Sequence, residues 1–436
     1  MDWWTRFGIL PCVLPIHHRL PFAAKTVVLC CLVLVVVCRP VFAQVPVPAP
    51  APGPAQSQSL DPWDQGRFRV GPLAFTPSVL LKNLGWDNNV FNDVEDPKKD
   101  FTLTAGGLVN WWIRAGDMRL VGTDSIDGIY FATYASQRAV NHSHSLRVEY
   151  RLNRLRPYAL GSYASIKDRP GYEIDTRARH TETALGGGLD VRLTGKTRFD
   201  VAGRQATYAF ASDETFDGTS LAYSLNRKAT FGTATLRYTA TPLTTLTLLS
   251  EFGQERFDES RERDNDSFRI MPGVQLDPFA LIKGSARVGY RHLNMLSPTI
   301  PDFAGVVAKI DLSYVLLGRT RLAMTVDRDI EFSYEADQPY YLLTGVGGSV
   351  RQGLGMGWDV EARGFIQQLA YRQALGTSSS VAGQVDRVHS YGGGIGYLLS
   401  PGMRLGFNVD YYQRRSDTYS NDYKTLRYGF AATYEF

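Results

Sequence analysis

From residue 67 to the C-terminus, apolar and polar side chains alternate with a period of two again and again, and no stretch carries the capped 3.6-residue stripe of a helix. In residues 280–292 one face reads Ala280, Ile282, Gly284, Ala286, Val288 and Tyr290, the other Leu281, Lys283, Ser285, Arg287, Gly289 and Arg291. Residues 322–334 place Leu322, Met324, Val326, Ile330, Phe332 and Tyr334 on an apolar face interrupted by Arg328, opposite Ala323, Thr325, Asp327, Asp329, Glu331 and Ser333. Residues 304–314 and 403–412 repeat the pattern. Extended along the chain, it predicts eighteen strands, beginning near residues 72, 101, 117, 143, 155, 180, 196, 226, 243, 267, 280, 302, 319, 339, 355, 384, 402 and 424.

Short and long connections take turns. Asn153-Arg154, Gly195, Thr241-Pro242, Phe279, Gly353-Leu354 and Ser400-Pro401 are short, whereas residues 167–178, 212–225, 254–266, 293–301, 373–383 and 415–423 are long. Consecutive hairpins with tight turns on one rim and long loops on the other have this rhythm. A soluble sandwich, propeller or solenoid also alternates, but these strands run to 11–15 residues, against a usual 5–6, and no blade-length repeat appears. A strand tilted by about 45° needs roughly 9–11 residues to cross the hydrocarbon layer. Lipid satisfies neither open backbone groups nor charges, so the apolar face must meet lipid, the sheet must close, and the charged face must line water. The fold class expected is therefore all-β, a closed antiparallel transmembrane β-barrel of about 18 strands (16–18), with an even number preferred. The segments near 117, 155, 196 and 226 alternate poorly and set the lower bound.

Composition fits: among 436 residues there are 41 Gly and 45 Tyr plus Phe, against 7 His, 7 Met and 4 Cys, with a mean hydropathy of −0.19. All four cysteines, Cys12, Cys30, Cys31 and Cys38, precede residue 39. Arg6, Arg19 and Lys25 supply positive charge, residues 26–38 a 13-residue apolar core, and Val41, Phe42 and Ala43 a cleavage context, so residues 1–43 read as a secretory signal. At about 1.5 Å per residue that core falls short of the roughly 30 Å hydrocarbon layer. Its removal leaves 43 basic against 42 acidic residues and no thiol. Disulfides, Cys-ligated metals and nucleic-acid binding are then not expected. Residues 44–66, with prolines alternating from Pro46 to Pro54, read as a proline-rich periplasmic linker. The barrel takes residues 67–436.

Two segments carry a resemblance. The last strand sets Leu426, Tyr428, Phe430, Ala432, Tyr434 and Phe436 on one face and ends on Phe436. It resembles the C-terminal signal of bacterial outer-membrane barrels, which implies that Phe430, Tyr434 and Phe436 form an assembly signal read by the barrel-assembly machinery. Residues 68–91, ending in Asp87-Asn88-Asn89-Val90-Phe91, resemble the first strand and loop of the second outer-membrane β-barrel porin family, and the likeness extends over residues 68–436. That family includes barrels encoded with exopolysaccharide synthesis and export genes. The resemblance implies outer-membrane localisation and passage of exopolysaccharide, with polysaccharide and periplasmic export components as partners beside outer-membrane lipid. A general small-solute porin, or a non-transport barrel acting as enzyme or adhesin, are the alternatives. Asp87, Asn88 and Asn89 also read simply as a turn whose short side chains bond their own backbone.

Local chemistry adds little. Gly195-Lys196-Thr197 lacks the phosphate-loop spacing from Gly188 and reads as a turn. The runs Gly186–Gly188 and Gly392–Gly394 read as relief of crowding within strands. His142 and His144 share a face with no third ligand nearby in sequence, so no metal is expected. No motif nominates a nucleophile with its base, so no catalytic residue, cofactor or enzymatic role is expected. What remains is lumenal charge: Arg269, Lys283, Arg287, Arg291, Arg321, Arg404, Arg414 and Arg427 are candidates to bind carboxylate-bearing sugars, since a guanidinium grips a carboxylate through two parallel hydrogen bonds. Arg404 and Arg427 are expected to neighbour each other through adjacent strands. Tyr341 and Tyr412 can stack on sugar rings. The plainer account of each is a cross-strand ion pair or packing.

Overall fold

A computed structural model describes residues 62–277, 280–376, 383–417 and 422–436. The expected signal at 1–43, most of the linker to residue 66 and the turn at Phe279 lie outside them. Eighteen long strands are present: β1 (Leu73–Asp87), β2 (Asp100–Ala115), β3 (Met118–Phe131), β4 (Ala139–Tyr150), β5 (Leu155–Asp168), β6 (Ala178–Arg192), β7 (Thr197–Phe210), β8 (Arg227–Thr241), β9 (Thr244–Phe257), β10 (Asn265–Leu276), β11 (Ile282–Met295), β12 (Phe303–Leu316), β13 (Thr320–Phe332), β14 (Tyr340–Gly355), β15 (Trp358–Arg372), β16 (Val385–Ser400), β17 (Met403–Arg415) and β18 (Tyr423–Glu435). Each pairs antiparallel with its neighbours in sequence, and β1 pairs with β18 through Val79↔Tyr434, Leu81↔Ala432 and Gly85↔Gly429, closing the barrel. No helix among the described residues is long and apolar enough to cross a membrane.

The weakly alternating strands are present too. Their outward faces hold Gly203 opposite Gly232 on β7 and β8, and Gly122 and Gly128 on β3, so the contrast with the polar face is low. Tight turns follow the even strands. Leu317 and Gly318 both have positive φ (50° and 67°), as do Met356 and Gly357 (50° and 83°); such pairs match the twist of the flanking strands. Long loops follow the odd strands, so both ends of the barrel domain sit at the tight-turn rim.

The lipid side carries Val140, Leu185, Phe252, Val288, Val306 and Phe430, all exposed. The buried apolar clusters lie instead toward the long-loop rim. Beyond the eighteen strands, Phe68–Val70 adds to the start of β1, and Leu221–Leu225 forms one helical turn capped by the Ser220 hydroxyl.

Candidate functional site

Near the long-loop rim the wall folds into its own lumen. β12 and β13 stay paired from Leu316↔Thr320 to Ala308↔Arg328 and then part, although β12 begins at Phe303 and β13 runs on to Phe332. At the parting point Arg328 donates to the Val306 carbonyl (3.1 Å) and to the Thr344 hydroxyl (2.6 Å). Past it, Ile330, Tyr340 and Leu342 pack on Met271, Leu293, Met295, Phe303 and Val307 of β10–β12. Asp329 accepts from Arg269 (2.9 Å) and Arg291 (2.7 Å). The apolar face expected from Leu322 to Tyr334 is thus corrected: after Arg328, Ile330, Phe332 and Tyr334 cover protein rather than lipid. Tyr334, at the hairpin tip, reaches Ile174, Ala178, Leu221 and Leu225, and its ring lies 4.9 Å from Phe216.

A second segment meets the hairpin from the far side. The loop after β5, residues 169–177, enters the lumen, with Tyr172 beside Phe365 (ring centroids 6.1 Å). Glu173 accepts from the Ser333 hydroxyl (2.6 Å) and the Tyr334 amide (3.3 Å). Arg414 on β17 donates to the Glu173 carbonyl (2.6 Å), to Asp175 (2.7 Å) and to Asp386 (2.5 Å), and Asn92 donates to Asp175 (3.1 Å). Arg169 donates to the carbonyls of Asp175 (2.6 Å) and Val90 (2.7 Å). Buried Arg263 locks the rim by donating to the carbonyls of Ser224 (2.8 Å), Ser333 (2.6 Å) and Glu335 (2.7 Å). Burial governs the ionisation of these loop groups: it pushes the Glu173 carboxyl up to about 8 against the Ser333 hydrogen bond and the Arg414 charge. It also raises Tyr172 to about 12 and lowers Arg177 to about 10. Hairpin and loop enclose a cavity of about 480 Å³ lined in part by Tyr172, Glu173, His180, Glu182, Arg227, Glu331, Tyr341 and Gln367.

Elsewhere the lumenal charges pair across strands. Arg227 meets Glu255 (2.9 Å), Arg269 meets Glu251 (2.5 Å), Arg404 meets Asp359 (2.6 Å) and Arg427 meets Asp87 (2.7 Å). Arg351 and Arg363 bracket Glu361, and Arg363 also holds Asp410 (2.6 Å). Of the candidates named from sequence, Arg269 and Arg291 therefore belong to the network under the hairpin, Arg414 to the loop anchor, and Arg404 and Arg427 to separate wall pairs. The expected neighbourhood of Arg404 and Arg427 is corrected by register: Arg404 lies opposite Thr433 and Arg427 opposite Asp410, at different heights. Tyr341 is buried, tilted against Tyr371 at 5.3 Å, and Tyr412 lies under the Arg427 guanidinium at 5.4 Å; both are packing partners. Lys283 and Arg321 lie near the tight-turn rim, and Arg287 lies mid-wall on β11. Phe430, Tyr434 and Phe436 face outward, with Tyr434 and Phe436 edge to face at 4.5 Å.

Charge also occurs on the outer face, as with Arg328 and the Arg256–Asp266 pair. On the outer face Asp124 accepts from Trp111 (2.5 Å) and bonds His144 (2.7 Å), and His142 lies 5.5 Å from His144. The carboxylate missing near these histidines in sequence comes from the adjacent strand, through Asp124↔His144. No cluster of three metal-ligating side chains occurs among the described residues. Gly195-Lys196-Thr197 is a turn, its amides bonding the Thr194 hydroxyl. Sequence reasoning missed Glu173, Asp175, Asp386 and Arg263, which act through the loops. The signal available was Tyr172 and Ile174, bulky apolar residues in a segment otherwise fit for solvent.

The family model described as "Putative beta-barrel porin 2" matches residues 61–436. No curated protein matches the sequence. Among solved structures, the chain is similar to OccK3 (OpdO) of Pseudomonas aeruginosa, at 13% identity over 83% of this chain and 95% of that one, TM-score 0.43. It is similar to a BenF-like porin of Pseudomonas fluorescens Pf-5, at 10% identity over 83% and 98%, TM-score 0.45. A third is the siderophore receptor PirA of Pseudomonas aeruginosa, at 8% over 85% and 81%, TM-score 0.41.

Proposed function

Because this chain belongs to that β-barrel porin family and forms an outer-membrane channel, we propose that it passes exopolysaccharide outward by facilitated diffusion. The observation that carries this reading is the lumen itself: a wall of Arg and carboxylate pairs below a constriction lined in part by Tyr172, Arg227 and Glu331. A hydrated polymer rich in hydroxyl and carboxylate groups exchanges hydrogen bonds with such a wall step by step. Paired charges keep any single site from holding it tightly. The likeness of residues 68–91 to a family that includes exopolysaccharide-associated barrels points the same way.

Deleting the gene and measuring extracellular polymer tests this reading. Loss of polymer, restored by the wild-type chain, is the expected result. Unchanged polymer together with slower uptake of small uncharged solutes would instead make the protein a general porin, a reading favoured by how firmly the folded-in loop is anchored.

A further inference from the structure

The pairing of lumenal charges has an exception on the β8–β11 wall. Register places Arg237, Thr247, Gly273 and Arg287 side by side across these four consecutive strands. Gly273 decides how Arg287 lies: a β-carbon there would fall 2.6 Å from Arg287 Cγ and 2.4 Å from the Ala286 carbonyl oxygen. The bare backbone therefore lets the Arg287 stem cross β10 toward Arg237. The charges that reach Arg287 are those of Arg237 and Arg269, all cationic, with no carboxylate among them. Arg269 is already held by Glu251 and Asp329. Arg237 makes its ion pair with Asp190 at 3.6 Å, a carboxylate already gripped by Arg198 at 2.6 Å and 3.0 Å, and feels the charge of Asp200, which Tyr158 holds at 3.1 Å. Three polar atoms converge on the row without a hydrogen-bond partner in the protein: Arg237 Nη1, Arg287 Nε and the hydroxyl of Thr247, a residue only 5% exposed.

We propose that Arg237 and Arg287, with the Thr247 hydroxyl between them on a floor opened by Gly273, form an oxyanion-binding subsite for the carboxylate of an acidic saccharide. Arg287 has no carboxylate and Arg237 only shared ones, so the two guanidiniums repel each other, and an oxyanion between them relieves that repulsion while filling vacant donors. A uronate carboxylate, flat and bidentate, suits the fork of Arg287. The saccharide part of the assignment rests on the channel reading above, whereas the oxyanion part rests on the wall alone.

The test uses the full-length protein in planar lipid bilayers, with galacturonate oligomers, maltose oligomers of equal length and potassium sulfate as probes. Galacturonate is expected to block current at concentrations at least tenfold below maltose. Arg287→Gln and Arg237→Gln should each raise the half-blocking concentration about tenfold, the scale of one lost charge-assisted contact. Arg287→Lys should restore only part of the affinity, because a point charge lacks the fork. Galacturonate block unchanged in both Gln variants would overturn the subsite, as would block by sulfate alone. If gene deletion abolishes polymer export while the Gln variants block normally, the subsite fails and the secretion reading survives. Arg287-dependent block in a protein whose deletion spares the polymer would keep the subsite and remove the secretion reading.

Discussion

Replacing Arg414 by methionine separates the lumenal loop from the wall while leaving the barrel's backbone pairing alone. The side chain is 1% exposed and holds three groups at once: the Glu173 carbonyl at 2.6 Å, Asp175 at 2.7 Å and Asp386 at 2.5 Å. The first two belong to the folded-in loop, so they alone contribute to docking. Their loss also leaves Asp175 with Asn92, Tyr423 and the charge of Arg169 in place of a direct ion pair. Breaking a buried pair by removing one partner typically costs about 3–5 kcal/mol, much of it from the stranded charge. At the lower bound the ratio of docked to released loop falls roughly a hundredfold. Single-channel conductance in planar bilayers should therefore rise in Arg414→Met and rise less in Asp175→Asn, which removes a charge without stranding one. In the double variant the two effects should fall short of their sum, because the residues share one interaction. If Arg414→Met inserts as a folded barrel, with wild-type strand content by circular dichroism, yet conducts as wild type does, the loop is not what narrows the channel.

Further outcomes follow from the same geometry. With its carboxyl pushed up to about 8 from an ordinary 4.5, buried Glu173 holds a proton that a released loop would give up. Docking is therefore strongest below pH 4.5 and weakens by roughly 5 kcal/mol as pH rises to about 8. Conductance should increase between pH 6 and 9, and Glu173→Gln should flatten that rise; equal pH profiles in both proteins would refute the assignment. At the closing seam a β-carbon on Gly85 would lie 2.0 Å from the Tyr428 carbonyl oxygen. Gly85→Val should thus lower the unfolding free energy read from urea titration in detergent by on the order of 3 kcal/mol, whereas Gly203→Ala, with open space around it, should not. On the lipid face, Asp124→Leu alone should destabilise by stranding His144 and Trp111, while the double change with His144→Leu should recover part of that loss, because it removes one of the two stranded groups. A double variant weaker than the single one would contradict that account.

How far the sequence reached differs from one element to the next. The segments headed by Ala280 and Met403 read correctly because over most of their length one face of each is apolar toward lipid and the other polar toward the lumen, so local alternation reports the environment directly. Residues 329–334 have the same alternation, yet their apolar side meets Met271 and Leu293 of the same barrel, and period two does not distinguish one apolar neighbour from another. Arg328 was the visible mark of that change, an interruption whose meaning needed Val306 and Thr344 beside it. The arginines of the wall were placed on the inner face from parity, but their partners depend on register between strands, which is why Arg404 and Arg427 do not meet.

Alternation and connection lengths along the chain were enough to specify a closed barrel of sixteen to eighteen strands, most of their inner and outer faces and the two unequal rims, because hydrocarbon and water impose their demands residue by residue. Packing in three dimensions settled which loops fold back, which carboxylate each guanidinium receives, and where two guanidiniums are left facing each other. Those outcomes join residues as far apart as Glu173 and Arg414, and their energies depend on distances across the lumen that no local pattern encodes.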